Sequence, residues 1–159
     1  MSPIERVRES LRGYGAEDRL MEFDVSTATV ELAAEAVGCE PGRIAKTLSF
    51  MAGAEPVFVV AAGDRRIDNR KFKDRFAAKA KMMTAEELDR LTGLHFGGVC
   101  PFGLPDTVHL YLDESLRDWD VIYPAGGTES SAVRVTPEEL ERFTGARGWV
   151  DVCKPAAGE

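Results

Sequence analysis

The sequence predicts a single compact domain of the α/β mixed (α+β) class, spanning residues 1–159 with its core at about 20–150. Three observations carry this. Three Ser/Thr-x-x-Glu capping boxes stand ahead of amphipathic runs. Runs of β-formers interleave with those helices in no regular order. No internal repeat or long linker divides the chain, and its length suits one core.

Ser2-Pro3-Ile4-Glu5 is the first capping box, with Pro at the first helical position, and its helix should end near Gly13 or Gly15. A second helix begins around Thr27–Thr29, runs through VELAAEAV and stops at Gly38. Ile44–Phe50 and Pro56–Ala62 read as strands joined by a turn over 51–55. Asp68 reads as the N-cap of a helix whose Phe72 and Phe76 share a face.

Thr84-Ala-Glu-Glu87 starts another helix, with Leu88 and Leu91 turned inward and Gly93 closing it. The glycine-rich segment Phe96-Gly-Gly-Val-Cys-Pro-Phe-Gly103 follows as a loop. Strands are expected at Val108–Leu112, Val121–Tyr123 and Ala132–Val135, and Thr136-Pro-Glu-Glu139 opens a last helix to about Phe143.

Composition excludes several classes. With 44% apolar residues the chain is not intrinsically disordered. Its longest apolar run, Val57–Ala62, is far too short to span a membrane, and the N-terminus lacks a secretory pattern. Cys39, Cys100 and Cys153 show no CxxC spacing, and the two histidines lie fourteen positions apart, so neither a disulfide framework nor a metal site is expected. No phosphate-loop or dinucleotide glycine motif occurs, so no cofactor is expected. These features together predict a cytoplasmic protein. The net charge of −7 hides a dipolar layout: residues 65–81 carry +6 and the remainder −13. Such a layout fits either a solvated helix or a face that receives a polyanion.

Lys46 is the most informative residue. On a strand over 44–50, alternation places Ile44, Lys46, Leu48 and Phe50 on one face and Ala45, Thr47 and Ser49 on the other. An ammonium on the more apolar face needs either a partner or an escape to water along its own stem. Gly97 and Gly98 allow close backbone approach to a ligand, while Pro101 stiffens the loop around Cys100. Successive loop amides can hold an oxyanion or a carbonyl oxygen. A lysine and such a loop suit an anionic or carbonyl ligand.

Taken in order, Ile44-Ala-Lys46-Thr47-Leu48, Thr92-Gly93 with Gly97-Gly-Val-Cys-Pro101-Phe-Gly103, and Ala125-Gly-Gly127 resemble the hallmarks of the YbaK/prolyl-tRNA-synthetase-associated editing domains, over roughly residues 20–150. The resemblance implies a mixed barrel-like β-sheet wrapped by helices. It also implies trans-editing hydrolysis of the ester bond in mischarged aminoacyl-tRNA, with a small amino acid and tRNA-Pro as the expected charge and carrier. By the same resemblance Lys46 meets the terminal adenosine region, Gly97 and Pro101 form the GxxxP motif, and the backbone around Gly98 meets the aminoacyl carbonyl. Ala125, Gly126 and Gly127 match the segment lining the amino-acid pocket. Further expected liners are Phe23, Thr27, Thr29, Thr47 and Ala132.

The expected partners are the acceptor end of a mischarged tRNA, with residues 65–81 as a candidate acceptor-stem contact, and an aminoacyl-tRNA synthetase. No membrane partner is expected. Ala125 lacks the hydroxyl that some family members carry there, so the edited amino acid is left open. An activated ester needs orientation and charge stabilisation more than it needs a protein nucleophile. Two other functions fit the residues: a thiol hydrolase using Cys100 with His95 or His109, and a non-catalytic aminoacyl-tRNA or nucleotide-binding module.

Overall fold

The computed structural model describes residues 1–156. The chain opens with helix α1 (Pro3–Arg12), capped by the Ser2/Glu5 box, and strand β1 (Leu20–Glu22). Helix α2 (Val30–Val37) follows, with Thr29 as N-cap and Gly38 closing it at φ 83°. Strands β2 (Ile44–Ala52) and β3 (Glu55–Ala62) form a hairpin longer than the sequence predicts, since only Gly53 and Ala54 make the turn. Strand β4 (Arg65–Ile67) leads into helix α3 (Asn69–Phe76), where the Asp68 carboxylate accepts from the amides of Arg70 and Lys71.

Strand β5 (Lys81–Met82) precedes helix α4 (Ala85–Thr92), capped by Thr84 and Glu87. After the glycine-rich loop come β6 (His109–Asp113), β7 (Tyr123–Pro124) and β8 (Ser131–Val133). Helix α5 (Pro137–Thr144), β9 (Trp149–Val150) and β10 (Cys153–Pro155) complete the chain. All three capping boxes form with both reciprocal hydrogen bonds.

The main sheet is mixed, ordered β5-β2-β3-β6-β9, with β7 alongside the start of β2. β2 and β3 are antiparallel, while β3–β6 and β6–β9 are parallel. Helices wrap it as the resemblance implies, but the sheet does not close into a barrel: β5 and β9 end it. Two small antiparallel ladders, β1–β8 and β4–β10, flank it.

Both faces of the sheet are buried, which is why β3 reads as a continuous apolar run. One core joins Ala45, Phe58, Val60 and Ala62 to α1, α4, α5 and the glycine-rich loop through Val7, Leu88, Leu140 and Phe102. The other joins Phe50, Val57, Val59 and Ala61 to Phe72 of α3 and to Val152 and Cys153. The face of β2 that looks small in sequence, Ala45-Thr47-Ser49, therefore lies on the side of the larger core. The face carrying Lys46 lies on the side of the smaller one.

Candidate active site

Strand β2 crosses the floor of a cavity of about 180 Å³. Its walls are Thr27, Thr29 and Val30 at the start of α2, Phe96, Gly97 and Val99 from the glycine-rich loop, and Tyr123, Ala125, Ser131 and Ala132 around β7 and β8. Lys46, Thr47, Leu48 and Ser49 all contribute to it, and Met82 of β5 closes one side. Among the described residues, no Asp or Glu lines this cavity.

The Lys46 side chain is half-buried, and its ammonium donates to the backbone carbonyl of Arg65 in β4. Burial pushes its pKa below the ordinary 10.5, while Cys153, Asp64 and Glu31 act in the opposite direction. The lysine is therefore tethered on one side and faces the cavity on the other. It also borders a second hollow of about 250 Å³ with Leu48, Phe50, Arg66, Ile67, Asn69, Ala80 and Met82. Beyond Asn69 and Ala80 lies a third, lined by Arg70, Lys73 and Lys79. Three hollows thus follow one another from the cavity onto the basic segment.

The loop over the cavity is held from behind. Gly97 takes φ 94°, a left-handed conformation, with the exposed Glu129 side chain packed against it. Gly98 lies against the backbone of Thr128, where a Cβ would come within 3.0 Å. Thr27 stitches the loop before α2 to β8: its hydroxyl donates to the Ser131 carbonyl and accepts from the Ser131 amide. The Ser131 hydroxyl is occupied in the turn at Thr128, and the Thr29 hydroxyl caps α2 at Leu32. Among the described residues, the buried hydroxyls of Thr47 and Ser49 have no hydrogen-bond partner.

The structure brings together Lys46, Thr47, Thr29, Gly97 and Ala125 among the expected site residues, with Thr27 and Ala132 beside them. Gly98, Pro101, Gly126 and Gly127 do not line the cavity, and neither does Phe23. Gly126 packs on Leu20 and Ser131, while Gly127, at φ 98°, packs on the backbone of Pro3 and Ile4. These two glycines are needed for close packing against β1 and α1. Ser49, Tyr123, Phe96 and Met82 are cavity residues that nothing in the sequence singles out. Ser49 was within reach, since alternation puts it on the same face as Thr47.

The thiol-hydrolase geometry is not formed. Cys100 is 0% exposed and lines none of these hollows, and burial pushes its thiol up to about 11. His95 is exposed beside Asp89, and His109 pairs with Glu55. Asp113, the last residue of β6, does not line the cavity either. Asp113 is buried, and its carboxylate accepts from the amides of Ser115 and Val152. Among the described residues no group of three or more His, Cys, Asp or Glu side chains gathers to hold a metal ion, and no helix is long and apolar enough to cross a membrane.

The fold and this cavity define a small α+β domain with a compact hollow beside a tethered cation. The chain belongs to the aminoacyl-tRNA editing domain family, whose match spans residues 24–143. It is similar to the uncharacterized protein YwhH of Bacillus subtilis, 43% identical over 95% of this chain and 97% of that protein. It is also similar to a proposed Cys-tRNA(Pro)/Cys-tRNA(Cys) deacylase, EbsC, of Enterococcus faecalis, at 30% identity over 73% of this chain and 72% of that one. Among solved structures, one described as a proposed trans-editing enzyme for prolyl tRNA synthetase superimposes with a TM-score of 0.86 at 34% identity, covering 97% of this chain and 98% of that one.

Proposed function

We propose that this protein is an aminoacyl-tRNA deacylase acting in trans on the ester of a mischarged tRNA, with a small amino acid in the cavity. The observation that carries the reading is the place of Lys46. One half-buried cation borders both the carboxylate-free cavity and the hollow leading to Arg66, Arg70, Lys73 and Lys79. An aminoacyl-tRNA end has that shape: a small aminoacyl group, an ester, then a chain of phosphates.

In this reading the aminoacyl group enters the cavity and the terminal ribose and phosphate lie beside Lys46. The basic segment then receives the acceptor strand. Lys46, already tethered to the Arg65 carbonyl, keeps the proton it needs for charge stabilisation, and Gly97 at the rim lets the ester approach the loop backbone. Water attacks the ester carbon and gives up a proton as it adds. The new bond to that carbon forms as the ester bond to the ribose oxygen breaks, and the alkoxide so released takes a proton. Positioning and electrostatics supply the acceleration, so no protein nucleophile is required. Gly98 and Pro101 shape the loop, and Gly126 and Gly127 hold the opposite wall. A cytoplasmic location and cooperation with a prolyl-tRNA synthetase accord with this chemistry and with the relatives.

The test is a panel of mischarged tRNAs incubated with the protein. Release of at least one small amino acid well above the buffer rate is expected, and so is its loss in Lys46→Ala. Tight tRNA binding without acceleration of any ester would instead identify a binding module.

A further inference from the structure

On the reading that the cavity takes an aminoacyl ester, we infer that the second hollow holds the adenine base of the terminal nucleotide and that Asn69 reads the edge of that base. Lys46, Leu48 and Met82 line both spaces, so the hollow adjoins the cavity. A single sugar ring joins the ester of an aminoacyl-tRNA to its terminal base, so the base must lodge one ribose away from the ester. The second hollow stands at that remove. Its volume of about 250 Å³ lies below the range of about 300–1,000 Å³ typical of sites for drug-sized molecules, which suits one flat ring system.

The lining has the chemistry of a base site. Leu48 and Phe50 of β2, Ile67 of β4, and Ala80 with Met82 of β5 supply apolar walls. Among the described residues the remaining liners are Lys46, Arg66 and Asn69. Apolar walls with a few placed polar groups are how proteins hold a planar ring. Met82 is 55% exposed, and its polarisable thioether suits an aromatic edge. A phosphate is a poor occupant among five apolar side chains, and the third hollow offers it Arg70, Lys73 and Lys79 instead. The exposed Arg66 suits the linking phosphate at the rim. Asn69 opens α3, but Asp68 makes the capping bonds there, accepting from the amides of Arg70 and Lys71. The Asn69 amide is therefore not engaged in the cap, and it borders both the second and the third hollow. A side-chain amide sets one donor beside one acceptor, the complement of the 6-amino group and N7 of adenine. Guanine presents two acceptors on that edge, and one of them would face the amide oxygen.

The experiment measures kcat/KM for one aminoacyl ester, the one released fastest in the panel above, carried on a tRNA body whose 3′ nucleotide is adenosine, purine riboside or guanosine. Wild type is compared with Asn69→Ala and Asn69→Asp. Both substitutions suit the first position of a helix that Asp68 caps, and circular dichroism checks the fold. Wild type is expected to favour the adenosine end over the other two by about fivefold or more. Asn69→Ala should lower kcat/KM on the adenosine end about fivefold, level with the purine riboside end, where it changes little. Asn69→Asp, an acceptor without a donor, should lose the preference as well. A purely structural role for Asn69 would lower all three rates together and leave their ratios intact. Equal rates on the three ends, a preference for guanosine, or an adenosine preference unmoved in either folded variant overturns the inference and leaves the deacylase reading in place. Wild type that accelerates no ester overturns both.

Discussion

The ammonium of Lys46 donates to the backbone carbonyl of Arg65, so the cation on β2 is anchored to the first residue of the basic segment. The anchor spans nineteen positions in sequence and joins the cavity to the hollow beneath Arg66. It fixes the charge without neutralising it, since a carbonyl accepts a hydrogen bond but carries no formal charge. Lys46→Met should therefore reduce deacylation by about 10²-fold or more. It should do so without a matching loss of stability, because a half-buried ammonium is replaced by an apolar chain of similar length. Rates and urea unfolding measured on the same preparation check both halves. A variant destabilised by more than about 2 kcal/mol would mean that Lys46 serves the fold.

Burial lowers the pKa of Lys46, and the sign of the consequence follows from that direction. Activity that needs the charged form must fall as pH rises through a value below the ordinary 10.5, earlier than for a solvated lysine. Stability moves the other way, increasing with pH between that lowered value and 10.5, because the unfolded chain there binds the proton more tightly. The check is a pH–rate profile corrected for spontaneous ester hydrolysis, with Lys46→Arg as comparison. The arginine variant, if active, should lack the alkaline limb, because a guanidinium stays charged throughout.

Arg70, Lys73 and Lys79 line the hollow farthest from the cavity, whereas their neighbours Arg65 and Lys71 pair with Asp118 and Asp151. Converting Lys73 and Lys79 together to Gln should weaken tRNA binding and flatten its salt dependence, by about 0.7–0.9 in the log–log slope for each phosphate no longer neutralised. The rate at saturating tRNA should change little. Binding isotherms at several salt concentrations provide the measurement. An unchanged slope would place the acceptor strand elsewhere.

The helices were legible because each start carries side-chain chemistry of its own: Ser2 with Glu5, Thr84 with Glu87, Thr136 with Glu139, and Thr29 and Asp68 alone. The hairpin of β2 and β3 was legible from its β-rich runs. Strands β4, β5, β9 and β10 were not, since two or three residues show no alternation and exist only through their partners, such as Arg65 opposite Pro155. At the site, Lys46 stood out as a charge in an apolar alternation. Its partner did not, because every residue has a backbone carbonyl and none is marked for use. Ser49 was hidden for a related reason: a serine becomes informative only when its hydroxyl is seen to have no partner.

Gly127 tests whether the Ala125–Gly127 segment serves the fold or the ligand. It sits at φ 98°, and a Cβ there would come within 3.0 Å of the Pro3 backbone. Both the left-handed conformation and the clash with main chain oppose a side chain. Gly127→Ala should cost about 1–3 kcal/mol in urea unfolding, with any loss of activity following the unfolded fraction. Loss of activity in a fully folded variant would instead put Gly127 in contact with substrate.

Arg19 and Glu139 form a two-pronged ion pair, with Nη1 on Oε1 at 2.9 Å and Nη2 on Oε2 at 2.7 Å, while Arg19 also donates to the Arg134 carbonyl. The same carboxylate accepts from the Thr136 amide in the α5 capping box. One side chain thus ties the start of β1 to α5 across the β8 strand that walls the cavity. The guanidinium, then the capping amide, hold Glu139 down at about 2, against an ordinary 4.5. A lowered carboxylate pKa stabilises the fold above about pH 4.5, and that stabilisation drains away as pH falls from 4.5 towards 2. Glu139→Gln should therefore cost about 1–2 kcal/mol at about pH 7, after allowance for partial solvent screening, and progressively less below about pH 4. Urea unfolding of the variant and wild type at about pH 7, 4 and 3 should show the two converging on the acid side. A difference that stays constant across that range would mean that Glu139 acts by packing alone.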